Sequence, residues 1–114
     1  MKELFEIFEE LNMPYFRQGS LSSENYPDSF FTFWNFDTNN DSFYDNNETR
    51  YIEQFFIYFY TNKAELIYSK MDEFIALAKK KGFVVEGRSY DTNSGKTDYF
   101  GRVCKINIIH KMEG

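Results

Sequence analysis

The segment YIEQFFIYFYT, residues 51–61, decides the fold of this chain because it reads as a long strand with apolar side chains on both faces. Side chains alternate between the two faces of a strand. One face carries Phe55, Ile57 and Phe59, and the other carries Phe56, Tyr58 and Tyr60. Such a strand is either central and covered on both sides, or covered once by its own core and once by another subunit.

Two amphipathic helices are predicted on either side of this part of the chain. Residues 2–12 repeat apolar side chains at helical spacing, and Pro14 ends that helix because the residue before a proline avoids helical geometry. Residues 63–81 carry a second apolar stripe and end in three lysines before Gly82, which is a typical cationic last turn with a glycine stop.

The remaining segments predict further strands joined by polar connections. Alternation predicts strands at 30–36, 83–90 and 99–109, with a short extra strand possible at 15–17. Predicted loops and turns cover residues 18–29, 37–49 and 91–96. The element order is α-β-β-α-β-β, so we expect one α+β domain over residues 1–114, with an ordered core at 2–110 and a mainly antiparallel sheet packed with two helices.

Composition narrows the classes of function. Aromatic residues make up 21% of the 114 residues, and Tyr in particular is favoured at protein interfaces as well as in cores. The net charge of −5 disfavours a stable sequence-reading complex with nucleic acid. The single Cys104 forms no internal disulfide, which fits a reducing compartment. With neither a signal peptide nor an apolar span in the sequence, we expect a cytoplasmic protein without a membrane partner.

A calcium-loop pattern occupies residues 37–48. Acidic or amide oxygens stand at positions one, three, five, nine and twelve of an EF-hand loop. Ser42 stands where that loop needs glycine, and the predicted flanks are strands instead of helices. Asp and Asn also favour turns through their own local hydrogen bonds. We therefore predict no metal site here.

Other candidates for catalytic chemistry are equally weak. Gly95-Lys96-Thr97 resembles the end of a phosphate-binding loop but lacks the earlier glycine, so a hairpin turn explains it. Cys104 and His110 lie six residues apart on one strand, too far for a nucleophile–base pair. Adjacent carboxylates on the helices diverge from each other. We expect neither an enzyme nor a cofactor.

The best candidate site residues are aromatic and suit contact with protein. Phe43, Tyr44 and Asp45 belong to the predicted 37–49 loop, and exposed aromatic residues in polar loops favour interfaces. Tyr58 and Tyr60 lie on the more amphipathic face of the long strand. The alternative is that the four aromatic side chains pack inside a monomer.

Several short motifs resemble one family over residues 1–110. These are the LNMP of residues 11–14, the aromatic strand 30–36, the DSFYDN of residues 41–46, the FIYFYTNK of residues 56–63, and Gly82-Phe83. In this order they resemble the small tail-completion proteins of tailed phages and prophages of Gram-positive bacteria, the tail-terminator or tail-to-head joining group. The chain departs from that pattern by keeping only Pro27 of a proline-rich segment and by carrying Gly-Lys instead of an acidic run in its last hairpin.

The resemblance implies structural work in a virion. Such proteins are α+β domains that form a ring, hexameric by this resemblance, at the head-proximal end of the tail tube. The implied partners are further copies of the chain, the tail-tube protein and the head–neck connector, with DNA passing through the ring without sequence-specific binding. The implied location is the host cytoplasm during assembly and then the virion tail. The alternative is a small acidic cytoplasmic binding module, such as an immunity protein, an antitoxin or an anti-defence protein.

Overall fold

The computed structural model describes residues 2–20, 26–40, 48–96 and 98–113. These residues form α1 (Lys2–Leu11), β1 (Tyr15–Arg17), β2 (Ser29–Asn40), β3 (Glu48–Thr61), α2 (Leu66–Lys80), β4 (Val84–Thr92) and β5 (Phe100–Glu113). Two helices with a mostly antiparallel sheet confirm the predicted α+β class. The order differs from α-β-β-α-β-β only by the short strand β1.

The sheet has the strand order β1-β2-β3-β5-β4. The pair β1–β2 is parallel, and every other pair is antiparallel. The long strand β3 is central: β2 pairs along one side of it, and β5 pairs along the other from Glu48 opposite Glu113 to Thr61 opposite Phe100. A central position leaves β3 no free edge.

Both helices pack on one face of the sheet, here called the inner face. The core joins the buried sides of α1 and α2 to alternate residues of the central strands. Phe31 is at its centre, with its ring centroid 4.8 Å from Phe59, 5.2 Å from Phe8 and 5.4 Å from Phe74. Each of these four rings is buried, so they supply much of the apolar area that stabilises the fold.

The glycine stop predicted for the second helix is confirmed. Gly82 has φ 96°, in the left-handed region that suits glycine, and the Phe83 amide donates to the Ala78 carbonyl at 2.9 Å. This turn directs the Phe83 side chain into the core. At the other end, the Lys63 amide donates to Thr61 Oγ1 at 3.0 Å, and α2 begins at Leu66, three residues later than predicted.

The predicted loop over residues 37–49 is wrong at both ends. β2 continues through Asn40, with residues 37–40 opposite Gln54 to Tyr51, and β3 begins at Glu48. A register shift between Asn35 and Asp37 gives β2 one extra residue, a β-bulge that breaks the simple alternation. Asp and Asn are poor strand formers, but pairing with an established neighbour overrides that preference. Residues 41–47 lie outside the described residues.

The predicted turn over residues 91–96 begins too early. Asp91 and Thr92 belong to β4, opposite Arg102 and Gly101 of β5. Arg102 Nη1 donates to Asp91 Oδ1 at 2.7 Å, so a cross-strand charge pair holds this aspartate in the strand. The connection that follows is a hairpin turn, in which the Gly95 amide donates to Asn93 Oδ1 at 2.9 Å.

Candidate protein-binding face

The sheet face turned away from both helices, here called the outer face, carries a row of aromatic side chains. For four of them alternation explains this position, because residues next to them in sequence belong to the helical core. The fifth, Phe36, lies at the β-bulge and joins the row through its ring contact with Phe56. We call this row the aromatic stripe and define it as Trp34, Phe36, Phe56, Tyr58 and Tyr60.

The aromatic stripe is continuous. The Phe56 ring centroid lies 4.6 Å from Phe36 and 6.0 Å from Trp34 on the neighbouring strand. Along β3 the ring centroids of Phe56 and Tyr58 lie 6.4 Å apart. Those of Tyr58 and Tyr60 lie 6.0 Å apart, with an angle of only 3° between the ring planes. The side chains therefore form one surface instead of scattered exposed rings.

One member of the stripe, Trp34, is exposed to solvent, and the other four are half-buried. Trp34 exposes 48% of its surface, and Tyr90 exposes 54% beside the stripe, where it pairs with Val103. Phe31, on the inner face of the same strand as Trp34, exposes 0%. A contiguous exposed apolar patch on a folded domain typically marks an interaction site.

One cation borders the stripe. Lys105 lies opposite Phe56 in the β3–β5 pair, and its ammonium is 5.2 Å from the Phe36 ring centroid and 6.0 Å from that of Phe56. Glu86 Oε2 lies 4.0 Å from the same ammonium. A cation over aromatic rings adds about 0.5–1 kcal/mol at an exposed site. The stripe is thus bordered by a charge pair, as interface cores commonly are.

Tyr58 and Tyr60, predicted as interface residues, both belong to the stripe and are half-buried. Burial raises the pKa of Tyr58, and Tyr90 raises it further. Burial also raises the pKa of Tyr60. Both phenols are therefore uncharged at neutral pH, which favours contact with an apolar or cationic group of a partner. The predicted residues Phe43, Tyr44 and Asp45 lie outside the described residues.

The Tyr60 end of the stripe is covered by other parts of the chain and encloses a pocket of about 140 Å³. We call it the tyrosine pocket. Its lining includes residues 18–19 together with Tyr26, Phe30, Thr32, Tyr60, Ser94 and Tyr99.

Hydrogen bonds fix two walls of the tyrosine pocket. The Tyr99 hydroxyl donates to the Pro27 carbonyl at 2.8 Å, and the Thr32 hydroxyl donates to Gln18 Oε1 at 2.5 Å. The Phe30 ring also lines the pocket, with its centroid 5.3 Å from Tyr26 and 5.5 Å from Tyr60. These contacts make the pocket a pre-formed site.

Cys104 and His110 are not brought together. Burial raises the pKa of the Cys104 thiol to about 12, so the thiol stays protonated within the core. His110 lies six residues further along β5, which corresponds to about 20 Å in a strand. There its Nε2 lies 2.7 Å from Glu53 Oε1, and its ring stacks on Tyr51 at 4.6 Å. The arrangement has no activated nucleophile in these two residues.

The two described ends of the calcium-loop pattern over residues 37–48 lie in different strands. Asp37 and Asn39 lie in β2, and Glu48 begins β3. Among the residues that the structure describes, no three His, Cys, Asp or Glu side chains are grouped to hold a metal ion. Within the same part of the chain, neither helix has the length and apolar character needed to span a bilayer.

Sequence reasoning missed three members of the stripe, Trp34, Phe36 and Phe56, as candidate site residues. The signal that could have found them is the second aromatic face that alternation gives to residues 30–36 and 51–61. This face is aromatic on two adjacent strands, and both helices lie on the opposite face.

Comparison with protein-family models and with curated proteins gave no match. The fold and the outer face define an α+β domain with a one-sided helical layer and a partly exposed aromatic sheet surface.

Proposed function

We propose that the protein is a structural assembly subunit that docks through the aromatic stripe. Within that class we propose a phage or prophage tail terminator, or tail-to-head joining component, that caps the tail tube and forms a docking ring for the head. The proposal of docking rests on the stripe itself, because five adjacent aromatic side chains lie on the outer face. Trp34, which is half-exposed, is the most exposed of them.

A closed ring needs two different complementary patches on each subunit, because each subunit contacts its two neighbours through unlike surfaces. The stripe supplies one patch. The second is assigned from the sequence to the segment with Phe43, Tyr44 and Asp45. These aromatic residues follow β2, the strand that carries Trp34 and Phe36.

The assignment to a phage tail is supported by the resemblance of residues 1–110 to tail-completion proteins. The acidic balance of −5 is consistent with it, since a ring of acidic subunits lets DNA pass without gripping it. The partners are then further copies of the chain in a hexameric ring, the tail-tube protein and the head–neck connector.

The test is affinity purification of the tagged protein from its native host after prophage induction, followed by mass spectrometry. We expect wild type to recover tail-tube and head–neck proteins. Trp34→Ser removes the most exposed ring of the stripe, and we expect it to lose at least tenfold in recovery. Tyr68→Ser is the matched control, because Tyr68 exposes 54% of its surface but lies on helix α2.

Two results would contradict the proposal, each in a different part. Equal recovery by wild type and Trp34→Ser, with both folded by circular dichroism, would remove the stripe as the docking surface. Recovery of one toxin or nuclease with no virion proteins would replace the tail function by the acidic binding module.

A further inference from the structure

We infer that Lys105 binds a carboxylate of the docking partner at the border of the aromatic stripe, and that this carboxylate belongs to Asp45 of a second copy of the chain. The inference rests on the proposed function, because it takes the stripe and the segment of residues 41–47 as the two patches that meet in the ring. It adds the charged contact that makes their pairing selective.

The Lys105 ammonium has a nearby carboxylate but no hydrogen bond to it. Glu86 Oε2 lies 4.0 Å away, whereas an N–H···O hydrogen bond spans about 2.7–3.2 Å. Each of the two side chains keeps 37% of its surface exposed. An ammonium group carries three N–H donors. Lys105 can therefore donate hydrogen bonds to an incoming carboxylate, which a closed, hydrogen-bonded pair with Glu86 would prevent.

The rings of the stripe restrict the position of this ammonium. Its nitrogen lies 5.2 Å from the Phe36 ring centroid and 6.0 Å from that of Phe56. A lysine in such a position loses less side-chain freedom on binding than a mobile surface lysine, so more of the attraction remains as affinity. A side chain that packs on the Phe36 ring also comes within reach of the ammonium. Contact with the rings and contact with the charge therefore occur together.

The sequence of the second patch is complementary to this charge. Residues 41–47 read DSFYDNN, so two aspartates flank the aromatic pair Phe43 and Tyr44, and the segment contains no lysine or arginine. Copies of a chain with a net charge of −5 repel each other at long range, and a local opposite charge offsets that repulsion where they meet. Asp45 directly follows Tyr44, whereas Asp41 is separated from the aromatic pair by Ser42. Asp45 is therefore the carboxylate that accompanies the two rings to the border of the stripe.

Glu86 is then an internal competitor for Lys105. An incoming carboxylate shares the ammonium with Glu86, and two carboxylates beside one cation repel each other. The substitution Glu86→Gln keeps the length of the side chain and removes its charge. We therefore expect Glu86→Gln to bind the Asp45 carboxylate more tightly than wild type does.

The experiment is a titration of the full-length protein with a capped peptide, acetyl-DSFYDNN-amide. A second peptide carries Asp45→Asn and is otherwise identical. Trp34 is the only tryptophan in the chain, so its fluorescence reports on the stripe alone. We expect both peptides to change this fluorescence in a saturable way. We expect the Asp45→Asn peptide to bind roughly two- to fivefold more weakly, as for the loss of an exposed ion pair, and this difference to shrink at high salt.

Three variants of the protein identify the charge that the peptide contacts. Lys105→Met keeps a long unbranched side chain without the charge, and we expect it to bind both peptides equally. Glu86→Gln should bind the unmodified peptide more tightly than wild type does. Lys79→Met is the matched control, because Lys79 is an exposed lysine on α2, which packs on the inner face of the sheet. It should distinguish the two peptides as wild type does.

Three outcomes would overturn the inference. One is equal affinity of the two peptides for wild type, and another is an unchanged preference for the Asp45 carboxylate in a folded Lys105→Met variant. The third is no response of Trp34 to either peptide at millimolar concentration. None of these outcomes decides whether the protein docks through the stripe, which the recovery experiment with Trp34→Ser tests separately.

Discussion

Gly101 lies directly opposite Tyr60 in the β3–β5 pair, and the Tyr60 ring occupies the space that a side chain at position 101 would need. A Cβ at Gly101 would lie 3.0 Å from Tyr60 Cε1 and 2.9 Å from the Thr92 carbonyl oxygen. The missing side chain lets the ring lie against the β5 backbone. This close approach therefore positions the ring that links the aromatic stripe to the tyrosine pocket.

Gly101→Ala tests that relationship. The added methyl group meets backbone as well as a ring, so relaxation is limited, and we expect a loss of about 1–3 kcal/mol in the free energy of unfolding. Urea denaturation measures the loss, and the Tyr60 ring signals should shift. Gly82→Ala is the control: it meets nothing within 4 Å, but its φ of 96° makes alanine unfavourable. It should lose about 1–2 kcal/mol while the Tyr60 signals stay unchanged. Unshifted Tyr60 signals in Gly101→Ala would contradict the expectation.

The two faces of β2 should differ sharply in their contribution to stability. Phe31 is enclosed by three other buried rings, so Phe31→Ala should leave a cavity and cost about 3–5 kcal/mol. Trp34 is half-exposed, so Trp34→Ala should cost about 1 kcal/mol or less. Urea denaturation of both variants measures the difference. Equal losses would mean that the outer face is part of the core in solution.

The sequence predicted the architecture where periodicity and stop signals agreed. The apolar alternation over residues 51–61 predicted the long strand β3, and Gly82 marked the end of α2. It failed at residues 37–40 and 48–49, where Asp, Asn and Glu indicate a loop but occupy paired strands. That pairing is non-local, because Tyr51 of β3 lies opposite both Asn40 and His110. Local composition does not contain this information.

The candidate site was predictable in part for a similar reason. Alternation separated Tyr58 and Tyr60 from the core face of β3. The tyrosine pocket was not predictable, because Gln18, Tyr26 and Ser94 come from three distant segments that only the fold brings together.

Stability should fall at alkaline pH through Cys104. Its pKa is raised by burial from 9.0 to about 12, so the unfolded thiol ionises first. The contribution of the protonated Cys104 thiol to the free energy of unfolding is fully present below pH 9. It declines as the pH rises toward 12, by up to about 1.4 kcal/mol per pH unit. Urea denaturation between pH 8 and pH 11 measures it.

Cys104→Ala is the matched control for this pH dependence. We expect the Cys104→Ala variant to be less stable than wild type at pH 8. Above pH 9 its stability should decline less steeply than that of wild type. The tyrosines with raised pKa contribute equally to both proteins, so the difference between the two curves isolates the thiol. Parallel curves would show that Cys104 ionises in the folded protein as readily as in the unfolded one.

A ring with two unlike patches makes a specific prediction for mixtures of variants. Trp34→Ser should disable the stripe, and Phe43→Ser combined with Tyr44→Ser should disable the segment that we assign to the second patch. Each variant alone then lacks one half of every interface and should be monomeric under conditions in which wild type forms rings. Mixed together, the two variants retain one intact stripe and one intact second patch, so they should form a heterodimer that cannot close. Native mass spectrometry distinguishes the monomer, heterodimer and ring. Rings formed by the Phe43→Ser/Tyr44→Ser variant would remove that segment from the interface, and monomers in the mixture would show that the two patches do not contact each other.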